Sequence, residues 1–193
     1  MPLIDRADSL LVVIDAQPGF SGATDEASAA AALAREVAGW LVGVAAALEV
    51  PVIVTEEAPE RNGPTDDVIG RRLPVSASVF VKPVFGLAEV PEIIAAVEAT
   101  ERRTAILVGA ETDVCVAHSA VGLLDRGFRV VVVADATFSP GQMHEHGLSH
   151  VQAAGAQIRH AKGVYYEWVR TLAAARTFES EHPDLADPPG FDL

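Results

Sequence analysis

Apolar residues along this chain follow two rhythms that take turns. Short, β-branched-rich runs without polar interruption alternate with longer stretches in which apolar positions recur every three or four residues. The first rhythm predicts strands buried on both faces, and the second predicts amphipathic helices. Six strands are expected: "LLVVID" (Leu10–Asp15), "PVIVTE" (Pro51–Glu56), "SVFVK" (Ser78–Lys82), "TAILVGA" (Thr104–Ala110), "FRVVVVADA" (128–136) and "AQIRH" (156–160). Between them lies an Ala-rich helix, Asp25–Leu48, with acidic residues in the first turn, where the helix dipole favours them. "EVPEIIAAVEAT" is a helix with Pro91 in its first turn, and "TDVCVAHSAVGLLDRG" is one with Gly127 at the C-cap. "DDVIGRRL" predicts a short helix, "HGLSHVQAAG" another, and "YYEWVRTLAAARTFES" a single closing helix. The tail from about residue 180 to 193 reads as irregular, fraying or wrapping a neighbour.

Strand alternates with helix from end to end, with no repeat, linker or low-complexity break. Residues 1–193 therefore read as one α/β domain, a mainly parallel sheet with helices on both faces. Fourteen basic residues against 27 acidic ones give a net charge of −13. That charge argues against nucleic acid as a partner, because such affinity rests on Lys and Arg. The single cysteine cannot form an internal disulfide, which fits a reducing, cytoplasmic setting. "MPLIDRADSLLVVID" has no basic segment, apolar run and cleavage site in sequence, so no secretory signal is expected. The nearest approach to a membrane span, Val37–Leu48, is about 12 residues against the ~20 required. A buried helix is expected there.

In parallel sheets chemistry collects at the carboxyl ends of the strands. Asp15 ends the first predicted strand, Lys82 ends the third, and Cys115 begins the helix after the fourth. Singly, the two charges read as a structural ion pair or as strand ends reaching water, and the cysteine as a small hydrophobe. Together they offer more. A helix N-terminus lowers a thiol pKa, a carboxylate can take the proton, and an ammonium can steady the sulfur anion.

"LLVVIDAQPGF", "FVKPVFG" and "LVGAETDVCVAHSAVGLLDRGFRVVVVADATFS" resemble, in order and context, the three motif blocks of the isochorismatase-like cysteine hydrolases. The resemblance covers roughly Leu10 to Trp168, and the cysteine block is its most specific part. It implies a Rossmann-like six-stranded sheet and a catalytic triad of Asp15, Lys82 and Cys115. It also implies a cis peptide between Ala110 and Glu111, with the Glu111 and Cys115 N–H groups forming an oxyanion hole. The implied reaction is hydrolysis of a C–N bond, of amide or carbamoyl type, in a small molecule through a Cys115 thioester. The alternatives are an isochorismatase-type vinyl-ether hydrolase, for which no cysteine is needed, a binding-only member, and a redox-sensing thiol. Members of the family commonly form dimers or larger assemblies, so a homo-oligomer is expected.

Nicotinamidases of this family hold a metal through an Asp-x-His pair after the second strand. Here that place reads "VTEEAPERNG", so neither a metal nor another cofactor is expected. Glu56 and Glu57 read as exposed loop carboxylates, with Glu57 a possible wall of the pocket, as is Phe20. His144, His146 and His150 have a spacing that could hold a metal but no matching carboxylate or cysteine nearby, and read as surface. His118 is expected to point away from the site. Asp135 and Ser139 read as loop or cap residues, and Tyr165, Tyr166 and Trp168 as core or interface.

Overall fold

Strands this apolar need cover on both faces, and the inner ones have it while the edge strand keeps exposed valines. A computed structural model describes residues 2–190. All six residues of β1 (Ser9–Ile14) and all seven of β4 (Thr104–Ala110) are buried. With β2 (Val52–Glu57), β3 (Ser78–Lys82), β5 (Arg129–Phe138) and β6 (Gln157–Arg159) they form one sheet, ordered β3-β2-β1-β4-β5-β6. Every adjacent pair is parallel. The helices are α1 (Asp25–Ala47), α2 (Pro59–Asn62), α3 (Asp67–Gly70), α4 (Pro91–Ala99), α5 (Ala117–Leu124), α6 (Gln142–Ala154), α7 (Ala161–Val169) and α8 (Leu172–Glu181).

Alternation along β1 divides the core. Leu11 and Val13 enter one apolar layer with Trp40 and Leu41 of α1 and Tyr165 and Trp168 of α7. Leu10, Val12 and Ile14 enter the other, with Ile93 of α4, Leu123 of α5 and Val151 of α6. α1 is longer than the Val37–Leu48 run, and by length and composition alone it could cross a membrane. Its apolarity serves burial here, since 61% of its most apolar window lies inside the fold.

Strand order runs outward from β1 through β2 to β3, then restarts on the other side with β4. The crevice at such a switch point is where α/β sheets bind ligands. β1 and β4 approach closely there because Gly109 has no side chain. A Cβ on Gly109 would stand 1.8 Å from the Ile14 carbonyl oxygen, and its φ is +117°.

Several expected boundaries differ. The predicted closing helix is two, α7 and α8, separated at Arg170, whose φ is +67°. Thr171 then caps α8, its hydroxyl accepting from the Ala174 N–H at 3.1 Å, and the Arg170 guanidinium donates to the Ile4 carbonyl at 2.7 Å. β5 runs two residues beyond the expected Ala136, to Phe138, and α6 begins at Gln142, directly after Gly141. The tail packs on its own core: Leu185 is buried, and its carbonyl accepts from the Trp40 indole at 2.9 Å. Residues 191–193 of that tail lie outside the described residues.

Candidate active site

Asp15 follows β1 directly, with φ at +45°, in the left-handed region that Asp enters more readily than most residues. Its N–H continues the sheet to the Thr55 carbonyl at 3.0 Å, and its own carbonyl accepts from Gln17 N–H at 2.8 Å. The chain thus turns sharply and leaves the carboxylate inside, fully buried. Oδ1 accepts the Thr55 hydroxyl at 2.8 Å, and Oδ2 lies 2.6 Å from Lys82 Nζ. Lys82 is the last residue of the edge strand β3, yet it turns inward and is 1% exposed. Its aligned hydrogen bond goes to the Val84 carbonyl at 3.0 Å, so the Asp15 contact is an ion pair rather than an aligned hydrogen bond.

Cys115 sits in a π-helical turn, Thr112–Val116, that leads into α5. The wider turn, closed by Val116 N–H to the Glu111 carbonyl at 3.0 Å, is a device found often at functional sites. The turn is held from outside. α6 crosses so tightly that a Cβ on Gly147 would stand 2.7 Å from Asp113 N, and Thr112 Oγ1 meets His144 Nδ1 at 2.9 Å. Ser139 bonds both the N–H and the carboxylate of Asp113. The Ala110–Glu111 peptide is cis.

The thiol is 2% exposed. One oxygen each of Asp15 and Glu57 and the Cys115 sulfur all lie within 4.8 Å of one another. The thiol donates to Glu57 Oε2 at 3.4 Å. Burial first, then the Asp15 charge, pushes the thiol pKa well up, against the opposing pull of Lys82. This corrects the expectation from the helix N-terminus: at rest the sulfur is a neutral thiol. Burial also raises Asp15 above the ordinary carboxylate range, although Lys82 and the Thr55 hydroxyl work the other way.

Glu56 and Glu57 are not exposed loop residues. They end β2, and alternation sends them to different tasks. Glu56 is buried and accepts from the N–H and the hydroxyl of Thr65, both at 2.7 Å, tying down the following loop. Glu57 pairs in register with Lys82, so its side chain leaves the same face toward the thiol. Its backbone is clamped by Gln17, which accepts from Glu57 N–H at 2.7 Å and donates to its carbonyl at 3.1 Å. Gln17, fully buried, is the positioning residue the sequence reading missed; its only local mark is an amide two residues after Asp15, in the Pro/Gly-containing loop that follows β1.

The three donors of Asp15, Glu57 and Cys115 could by spacing hold a metal ion. The Lys82 ammonium at 2.6 Å already occupies the Asp15 carboxylate and opposes a second cation. Of the other candidates, Phe20 is half-buried and lines a small cleft with Gln17, Ala110 and Phe138, beside the site rather than on the sulfur. His118 is exposed against the Phe85 ring, 5.6 Å between centroids, and His146 and His150 are exposed, whereas His144, expected at the surface, is half-buried because it packs on Thr112 of the cysteine turn. Asp135 caps α7 through the Ala161 N–H at 2.9 Å.

A family model for the isochorismatase domain matches residues 9–162. An isochorismatase domain-containing protein 2 from Xenopus laevis is 34% identical over 131 residues, covering 66% of this chain and 62% of that protein. The chain thus spans less than two thirds of that relative's length. The YcaC gene product from Escherichia coli, described as an octameric hydrolase of unknown specificity, superposes with a TM-score of 0.81 at 25% identity, covering 96% of this chain and 93% of the other. YcaC from Pseudomonas aeruginosa, in a structure with hexane-2,5-diol and covalent acrylamide, superposes at 0.77 and 25% identity, covering 95% and 94%.

Proposed function

We propose, for a chain that belongs to the isochorismatase family and shares the fold of its cysteine hydrolases, that Cys115 attacks the carbonyl of a small amide or carbamoyl compound. The observation that carries this reading is the convergence, from three distant segments, of the chain's one thiol, a buried carboxylate and a buried ammonium. A structural ion pair needs no thiol beside it. A structural cysteine needs no charges.

In the proposed reaction the thiol proton passes to Asp15 as sulfur bonds to the carbonyl carbon. Lys82, held on the far side of Asp15, offsets the negative charge that the sulfur gathers. The carbonyl oxygen becomes an oxyanion on the Glu111 and Cys115 N–H groups. Asp15 returns the proton to the departing amine, the C–N bond breaks, and a thioester remains. Water, deprotonated by Asp15, adds to the thioester; the acid leaves and the thiol is restored. Every step is carried by the chain's own residues. The covalent acrylamide described for the P. aeruginosa protein supports a reactive nucleophile in this fold.

The test is mass spectrometry of the protein incubated with primary amides, ureido acids, nicotinamide and isochorismate. An acyl adduct on Cys115, with release of ammonia or amine, is expected; Cys115→Ala should lose turnover by at least 10³-fold or so while keeping its fold. Full activity of Cys115→Ala, or turnover of isochorismate alone, would overturn the reading. We further propose assembly into a homo-oligomer, supported by the octameric E. coli relative and by the exposed Val79, Val81 and Phe85 on and beside the edge strand.

A further inference from the structure

Glu57 has no part in the proton transfers above, yet its carboxylate meets the sulfur alongside that of Asp15. The Cys115 thiol donates to Oε2 at 3.4 Å, while the Gln17 clamp holds the Glu57 backbone from both sides. Cys115 and Asp15 are buried, and Glu57 is only half-buried. Of the two carboxylates beside the sulfur, Glu57 is thus the one that water also reaches, and a carbonyl carbon bonding to the sulfur comes within a few ångströms of it.

Carboxylates crowd the sulfur, and the cations nearby are already paired: Arg35, which lines the adjoining cleft, holds Asp66 at 2.9 Å. Glu111 is close enough to Glu57 and Asp113 for both to push its own pKa up, after burial. The one ammonium, Lys82, is fully buried and committed to Asp15 and the Val84 carbonyl. A substrate carrying a carboxylate next to its scissile carbonyl would meet Glu57, while Lys82 and Arg35 are each held by an aspartate. A substrate carrying N–H donors or positive charge there would find an acceptor.

We propose that Glu57 is a specificity-determining residue, selecting substrates with an ammonium or guanidinium group near the reacting carbonyl over neutral ones and rejecting carboxylate-bearing ones. The inference rests on the reading of Cys115 as the nucleophile but can be tested apart from it. A unit charge a few ångströms from an incoming group in a half-buried site changes its local concentration strongly, and the sign decides the direction.

The chain's single cysteine makes the test unambiguous. Cys115 is labelled with two methanethiosulfonates of matched size, one bearing trimethylammonium and one sulfonate, and the rates are read by mass spectrometry. Each rate is divided by that of free mercaptoethanol. The corrected cation-to-anion ratio should fall about tenfold, ~1.4 kcal/mol, in Glu57→Gln. It should change less than about twofold in Glu92→Gln, an exposed position on α4 with the same change in net charge. An unchanged ratio in Glu57→Gln would overturn the proposal, as would a thiol that neither reagent reaches. In turnover, 4-aminobutanamide should exceed pentanamide, and pentanamide should exceed succinamate, with the order compressed in Glu57→Gln. A ratio that shifts while no amide acylates Cys115 defeats the hydrolase reading and leaves the charge selection standing. The reverse pair of results defeats only the selection.

Discussion

At the scale of single residues, the site is a problem in keeping charges out of water. Asp15 and Lys82 are both fully enclosed and 2.6 Å apart. Removing one partner of such a pair leaves a buried charge, at about 3–5 kcal/mol. Lys82→Met should therefore lower stability by about that amount in urea denaturation, and Asp15→Asn combined with it should recover much of the loss. Burial and the Asp15 charge both disfavour the thiolate, so Cys115 titrates above its ordinary 9.0. Since only the thiolate alkylates quickly, iodoacetamide labelling should keep rising about tenfold per pH unit through pH 9, without a plateau. A plateau near neutral pH would mean a preformed thiolate and would remove the need for Asp15 as base. On the proposed mechanism, with Asp15 as base, kcat/KM should fall with decreasing pH through a value above the ordinary carboxylate 3.8, because burial raises Asp15. That acid limb should vanish in Asp15→Asn along with the activity.

At the scale of elements, the strands were legible from the β-branched runs at their centres, and their ends were less so. β3 and β4 have the expected limits. β5 continues through "TF" because sheet pairing to β4 resumes at Gly109–Thr137 after a shift in register, which no local pattern encodes. The helix break at Arg170 was hidden for a related reason, since Thr171 as a cap looks like any threonine until its hydroxyl finds Ala174 N–H. The N-cap of α1 is plainer: Thr24 accepts from Ala27 N–H at 3.1 Å, and Thr24→Ala should cost ~1 kcal/mol in thermal or urea unfolding. Gly109→Ala should be far worse, about 3 kcal/mol or more, because its methyl meets the Ile14 backbone and not a side chain that can rotate away. Activity should fall with it, since β1 and β4 carry Asp15 and the Cys115 turn.

At the scale of the whole molecule, strand order places the site. β1 and β4 are neighbours although about ninety residues separate them, and the crevice above their carboxyl ends receives Asp15 from one side and Cys115 from the other. β2 and β3 then bring Glu57 and Lys82 into one register. The outer side of β3 exposes Val79 and Val81, a flat apolar edge that a sheet protein ordinarily covers or charges. The double variant Val79→Lys with Val81→Lys should lower the molar mass measured by light scattering if this edge joins copies of the chain, and an unchanged assembly would place the contact elsewhere.

By itself the sequence determined the alternation of strand and helix and the family, and it singled out Asp15, Lys82 and Cys115 as candidates, because runs of β-branched residues and a thirty-residue motif leave marks that are local in the chain. Only the tertiary structure decided the protonation of the thiol, the inward turn of Glu57 and the clamp by Gln17. Those depend on register between strands and on how much water reaches a group, and both are set by residues dozens of positions away.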